Sequence, residues 1–140
     1  MILDTSIWVD VERGRLAPAD VAAVTGEEPV NLALPVIAEP QYGVVQRSPD
    51  AASRNRRASA LARIRHKPCL IIDRETGEFF GRLAADVDSR GRPSTHRVND
   101  LWLAALAIQH GMKLATQNER DFADLPGVDL VVLRSRKPTR

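Results

Sequence analysis

The sequence holds a single cysteine, Cys69, so no internal disulfide is possible, and a reducing compartment is the simplest expectation. Cys69 sits in the apolar run Pro68-Cys69-Leu70-Ile71-Ile72, where the thiol is expected to be buried as a small hydrophobe. No apolar run approaches the roughly 18 residues that a spanning helix needs. No Gly-x-Gly-x-x-Gly follows any apolar run, which argues against a dinucleotide-binding enzyme. Internal repeats and low-complexity linkers are also missing. The charge balance is almost even, with 20 Lys and Arg against 18 Asp and Glu, so net charge alone does not announce a nucleic-acid binder.

What is present is enough for one domain. A chain of 140 residues that is 44% hydrophobic can fill a single core. Its first residues, Met1-Ile2-Leu3-Asp4-Thr5-Ser6, run from apolar directly into a carboxylate and two hydroxyls. Ile2 and Leu3 read as a buried parallel strand, which leaves no room for a targeting leader and points to a soluble, cytoplasmic protein.

Further strands are expected at Val30–Leu34, Leu70–Ile72, Lys113–Thr116 and Val128–Leu133. Between them lie helical patterns. One is a small helix over Ala17–Val24. Another is a mostly buried helix after Pro35, with Pro40 expected to kink it beside Glu39 or to force its start close to Glu39. An arginine-rich helix carrying Arg54, Arg56, Arg57, Arg63 and Arg65 is announced by Ser48-Pro49-Asp50, with Ser48 as capping hydroxyl. A helix over Glu75–Asp88 is followed by one from Arg97 to His110 that is apolar nearly all round and therefore buried, with Gly111 ending it. Strands alternating with helices, without hairpin signals, predict an α/β fold: a three-layer α/β/α sandwich around a parallel sheet of four to five strands. The domain is expected to span residues 1–133, followed by a basic tail at 134–140.

Several acids fall where a carboxylate is costly: Asp4 after a buried strand, Glu39 in an apolar helix, and Asp100 at the start of a buried one. The loop after Thr116 adds Asn118, Glu119 and Asp121, of which Asp121, with Asn118 beside it, is favoured as the fourth contributor. Each has an ordinary structural explanation as well. Asp4 and Asp121 suit caps, Asp100 suits the positive end of a helix dipole, and Glu39 suits an arginine of the following helix. A hard divalent cation with oxygen ligands would let several such acids coexist. His66 and His110 adjoin no acidic motif, and His96, four residues before Asp100, reads as a surface residue.

These motifs resemble those of the PIN-domain ribonucleases, and within them the VapC-like toxins of bacterial toxin–antitoxin pairs. Leu3-Asp4-Thr5-Ser6 is similar to the opening motif, and Ala38-Glu39 with Tyr42-Gly43-Val44 to the second. Asn99 to Ala105 is similar to the third, and Leu114-Ala115-Thr116 through Asn118, Asp121 and Phe122 to the fourth. The resemblance implies a Mg²⁺- or Mn²⁺-dependent endoribonuclease with Asp4, Glu39, Asp100 and Asp121 around the metal, supported by Thr5, Ser6 or Thr116. It also implies a VapB-like antitoxin, an RNA substrate and a homodimer. Two departures stand out: Pro40 beside Glu39, and Asn118 where some relatives carry an acid, which leaves the fourth position open between Asn118 and Asp121. The arginine-rich helix and basic tail read as phosphate contacts, as a solvated face, or as part of an antitoxin surface. The alternatives are a catalytically inactive PIN-like binding module and a receiver-type phosphoacceptor domain. A receiver would show an acidic pair after its first strand and a lysine after a late one, whereas Asp4 stands alone and Lys113 precedes Leu114.

Overall fold

The computed structural model describes residues 1–46 and 49–134, apart from the side chains of Leu34, Glu39 and Pro40. Five short strands alternate with seven helices among these residues: β1 (Ile2–Leu3), α1 (Thr5–Glu12), α2 (Pro18–Thr25), β2 (Leu32–Ala33), α3 (Leu34–Gln46), α4 (Ala51–Ile64), β3 (Cys69–Leu70), α5 (Arg74–Ser89), α6 (Val98–Gln109), β4 (Leu114–Thr116), α7 (Glu119–Phe122) and β5 (Leu130–Val132). A single 3₁₀ turn, Ser94–His96, precedes α6.

Every strand pairing is parallel. β4 lies between β1 and β5, β3 pairs with β2, and an Ile2–Asn31 bridge joins the two sets, so the order across the sheet is β3-β2-β1-β4-β5. β1 therefore sits at the centre. The alternation of its side chains divides the core. Ile2 and its register partner Leu114 face a cluster built from Val36 of α3, Leu83 and Val87 of α5, and Leu101 to Ala107 of α6. Leu3 and its partner Ala115 face the opposite side, where Ile7 of α1 and Leu16 pack with Val21 and Val24 of α2. Helices thus cover both faces of the sheet, as the strand and helix alternation predicts.

The buried helix α6 ends in a Schellman motif. The amide of Met112 donates to the Ala107 carbonyl at 2.9 Å and that of Gly111 to Ile108 at 3.2 Å, with Gly111 at φ 58. Its neighbour α5 packs against it through Phe80 and Trp102, whose rings stack with centroids 4.1 Å apart. The start of α5 is secured by a capping box between Asp73 and Thr76, and Gln109 of α6 donates to the same Asp73 carboxylate at 3.0 Å.

Three expectations are corrected. Cys69 is exposed, and so is Ile71, because β3 is an edge strand paired to β2 alone among the described residues; an apolar run does not reveal which strand takes the edge. The cap of α4 is Asp50, which accepts from the Ser53 amide at 2.6 Å, so Pro49 precedes the helix and Ser48 lies outside the described residues. Helix α3 starts at Leu34, not beside Glu39, and continues through Pro40. Of the basic tail, only Arg134 falls within the described residues.

Candidate active site

The site is built from the carboxyl end of β1. Asp4 occupies the N-cap position of α1 with an extended backbone, yet its side chain makes no capping hydrogen bond. Its Oδ2 instead accepts from Ser6 Oγ and from Thr116 Oγ1, both at 2.8 Å. Asp4 is only 6% exposed, and a carboxylate buried that far needs such donors. Thr116 stands at the end of the adjacent strand β4 with no exposure at all. Its hydroxyl has one proton, given to Asp4, and it accepts in turn from the Asn118 amide at 3.0 Å. A directional chain therefore runs from the Asn118 backbone through Thr116 to Asp4, linking two strand ends that are more than a hundred residues apart in sequence.

Above Asp4 opens a cleft of about 510 Å³, lined by Asp4, Thr5, Ser6, Asp10, Asp100 and Asn118 among others. Asp100 reaches it from the first turn of α6, where the helix dipole favours an acid. Ser6 and Asp10 lie four apart on α1 and so share one face. With its amide nitrogen turned toward them, Gln117 donates to Asp10 Oδ2 at 3.1 Å and to the Ser6 carbonyl at 3.3 Å, fastening α1 to the loop after β4. Asp10 and Gln117 were not legible as cleft residues. The spacing from Ser6 to Asp10 was the available signal for Asp10, and nothing in the sequence marks Gln117.

Glu39 belongs to α3, but its side chain lies outside the described residues. Asn118 is one of the residues lining the cleft, and Asp121, on α7, is not. The three histidines are exposed.

The donors gathered here are carboxylate, hydroxyl and amide oxygens, the set that suits a hard divalent cation. Among the described residues no three acidic, histidine or cysteine side chains converge tightly enough to hold a metal by themselves. The residues present fit such an ion in chemistry, since Asp4, Asp100, Asn118 and the hydroxyls of Thr5 and Ser6 line one cleft.

Beside the acids lies an ion-pair cluster that the sequence did not reveal. Arg97, just before α6, holds Asp124 in a two-pronged grip, Nη1 to Oδ2 at 2.9 Å and Nη2 to Oδ1 at 2.8 Å, and Nη2 also donates to the Asp121 carbonyl. Arg92 approaches the same carboxylate at 3.0 Å. The hydrogen bonds and charge of Arg97 pull the Asp124 carboxyl below its ordinary pKa, and Asp124 raises that of Arg97.

A second, larger groove of about 850 Å³ begins at Thr5 and Asn99 and runs between α1, α3 and α4 past Trp8, Tyr42, Leu61 and Ile64. Trp8 Nε1 is buried there without a hydrogen-bond partner among the described residues. Arg57 of α4 donates to the Gly43 carbonyl at 2.9 Å, so this arginine pins α4 to α3.

A parallel five-stranded sheet with helices on both faces and an oxygen-lined acidic cleft past its central strands defines a small α/β domain of the acid-cluster kind. The chain belongs to the PIN domain family, whose model matches residues 1–128. It is 30% identical over 133 residues to Ribonuclease VapC4 of Mycobacterium tuberculosis, covering 94% of this chain and 95% of that protein. Ribonuclease VapC5 of the same organism is 30% identical over 126 residues, covering 90% of this chain and 87% of that protein. Among solved structures, a VapBC-5 chain from M. tuberculosis, from the VapBC family of toxin-antitoxin systems, matches with a TM-score of 0.71 and 27% identity over 95% of this chain and 96% of that one. A chain of VapBC2 from Rickettsia felis, bound to a DNA fragment from their promoter, shares the fold with a TM-score of 0.80 at 21% identity, covering 95% of this chain and 98% of that one.

Proposed function

We propose that this protein is a divalent-metal-dependent endoribonuclease acting as the toxin of a toxin–antitoxin pair. The observation that carries the reading is Asp4. A nearly buried carboxylate held by two hydroxyls, at the mouth of a cleft it shares with Asp100, is arranged for binding rather than for capping. Family membership and the two ribonuclease relatives support RNA as the substrate.

In this reading Asp4 and Asp100 hold Mg²⁺ or Mn²⁺, joined by Glu39 and by Asn118 or Asp121. When bound, the ion supplies charge stabilisation on the scissile phosphate and makes water a competent nucleophile. The chain's own residues do the rest. Ser6 and Thr116 fix the aim of the Asp4 carboxylate, and Asn118 fixes that of Thr116. No side-chain nucleophile is needed, and the exposed histidines take no part.

A VapB-like antitoxin is the partner, since several structural neighbours are toxin–antitoxin complexes. The groove along Trp8 and Tyr42, which meets the acidic cleft at Thr5, is the surface we assign to it. In this reading the protein acts in the cytoplasm as a homodimer; no helix among the described residues is long and apolar enough to cross a membrane.

The test is cleavage of RNA by the purified protein with Mg²⁺ or Mn²⁺. Activity is expected to vanish with EDTA and in both Asp4→Asn and Asp100→Asn, with far-UV circular dichroism unchanged. Retained cleavage by both variants would overturn the reading.

A further inference from the structure

Helix α7 has only four residues, too few to hold its own shape, yet it follows the loop that carries Asn118 and itself carries Asp121. Two apolar anchors seat it, Phe122 at 1% exposure and Leu125 at 5%. Its polar side is held most closely by Arg97, whose guanidinium takes the Asp121 carbonyl and both oxygens of Asp124, while Arg92 reaches the same Asp124 carboxylate at 3.0 Å from the exposed side. Arg97 is also the residue from which α6 starts, three positions before Asp100, and its side chain is only 14% exposed. A planar fork that satisfies two acceptors at once fixes orientation as well as distance, which an ammonium does not.

We infer that Arg97 is a positioning residue of the acidic cleft, one that sets the first turn of α6, with Asp100, against the segment after β4, with Asn118 and Asp121. The inference rests on the reading of that cleft as a cation site. The guanidinium grips the Asp124 carboxylate, and its positive charge also acts on Asp100 and Asp121.

Charge and position make opposite predictions for a bound cation. Removing a positive group beside a metal site strengthens cation binding if charge alone matters, whereas losing the fork weakens it if geometry matters. The experiment is Mn²⁺ binding to the full chain, read by electron paramagnetic resonance of free Mn²⁺, for wild type, Arg97→Met, Arg97→Lys, Asp124→Asn and Asp4→Asn. Arg97→Met, Arg97→Lys and Asp124→Asn are each expected to weaken binding by about tenfold, the scale on which residues that orient metal ligands act. Arg97→Lys keeps the positive charge and loses only the fork, so it reports on the clamp even if Arg97→Met does not fold; Asp124→Asn also removes a negative charge and is read beside it.

Unchanged Mn²⁺ affinity in the clamp variants, with only the melting temperature lowered, would show a purely structural ion pair and overturn the proposal. Tighter binding by Arg97→Met would overturn it in favour of a charge effect. Both results leave the cation site intact, provided Asp4→Asn still loses Mn²⁺. If the wild type itself binds no Mn²⁺, or Asp4→Asn binds as well as wild type, the reading of the cleft falls, and the role of Arg97 falls with it.

Discussion

Thr116→Val removes one oxygen and almost no volume, and its consequences can be worked from two hydrogen bonds. The Thr116 hydroxyl donates to the Asp4 carboxylate at 2.8 Å and accepts from the Asn118 amide at 3.0 Å, at a position with no exposure. Losing a hydrogen bond to a charged group costs about 1.5–3 kcal/mol, and leaving the Asn118 amide against a methyl costs about 1 kcal/mol more. Burying the new methyl returns about 0.8 kcal/mol. The net loss is about 2 kcal/mol. For 140 residues the unfolding entropy is about 0.3 kcal/mol per degree, so the melting temperature should fall by about 7 °C. Because Asp4 also loses one of the donors that aim it, RNA cleavage should fall by about 10- to 100-fold. Thr116→Ser separates the two effects: it keeps the hydroxyl and loses a buried methyl, so it should melt about 1 kcal/mol less stably yet cleave far better than Thr116→Val. Scanning calorimetry and a fluorogenic RNA assay read both quantities. Wild-type cleavage by Thr116→Val, or equal loss of cleavage in Thr116→Val and Thr116→Ser, would refute the reasoning.

Two further outcomes follow from the fold. The Asp124 carboxyl, held below its ordinary pKa by Arg97, adds stability that is fully present above the unfolded-state value of about 4 and is lost as pH falls through the lower folded value. The stability gap between wild type and Asp124→Asn, measured by urea denaturation, should therefore be constant near neutrality and shrink below about pH 4; a gap that widens in acid would contradict the ion pair. Gly111→Ala places a Cβ at φ 58 and should cost about 1–2 kcal/mol, seen as a lower urea midpoint at an unchanged slope.

Much of the architecture was readable because short apolar runs ended at prolines, glycines and acids. Ile2-Leu3 before Asp4, and the run from Leu101 to Ala107 before Gly111, carried enough pattern to place the central strand and the most buried helix. The position of a strand within the sheet was not readable. Cys69 and Ile71 look as apolar as Leu3, and only the pairing of β3 to one neighbour explains their exposure. Asp4, Thr5, Ser6, Asp100 and Asn118 do meet at one cleft, because each follows or begins an element whose end points the same way. Asp121 stood out in sequence beside Asn118, but their difference in placement depends on how the loop after Thr116 turns. The grip of Arg97 on Asp124 was invisible for a similar reason: it joins residues 27 apart, with α6, β4 and α7 between them, and both stand just outside those elements.

The sheet order has a bearing on synthesis. On one side β1 borders the β2 segment, but its other neighbour is β4, so Ile2 and Leu3 wait for Leu114 and Ala115 before the centre of the sheet can close. A ribosome that has delivered the first hundred residues has delivered Asp4, yet neither the strand beside it nor the hydroxyl of Thr116 that holds it. Fragments released by premature termination in this part of the message would lack an assembled cleft. A cell making this protein would thus meet its chemistry only once nearly the whole domain has emerged.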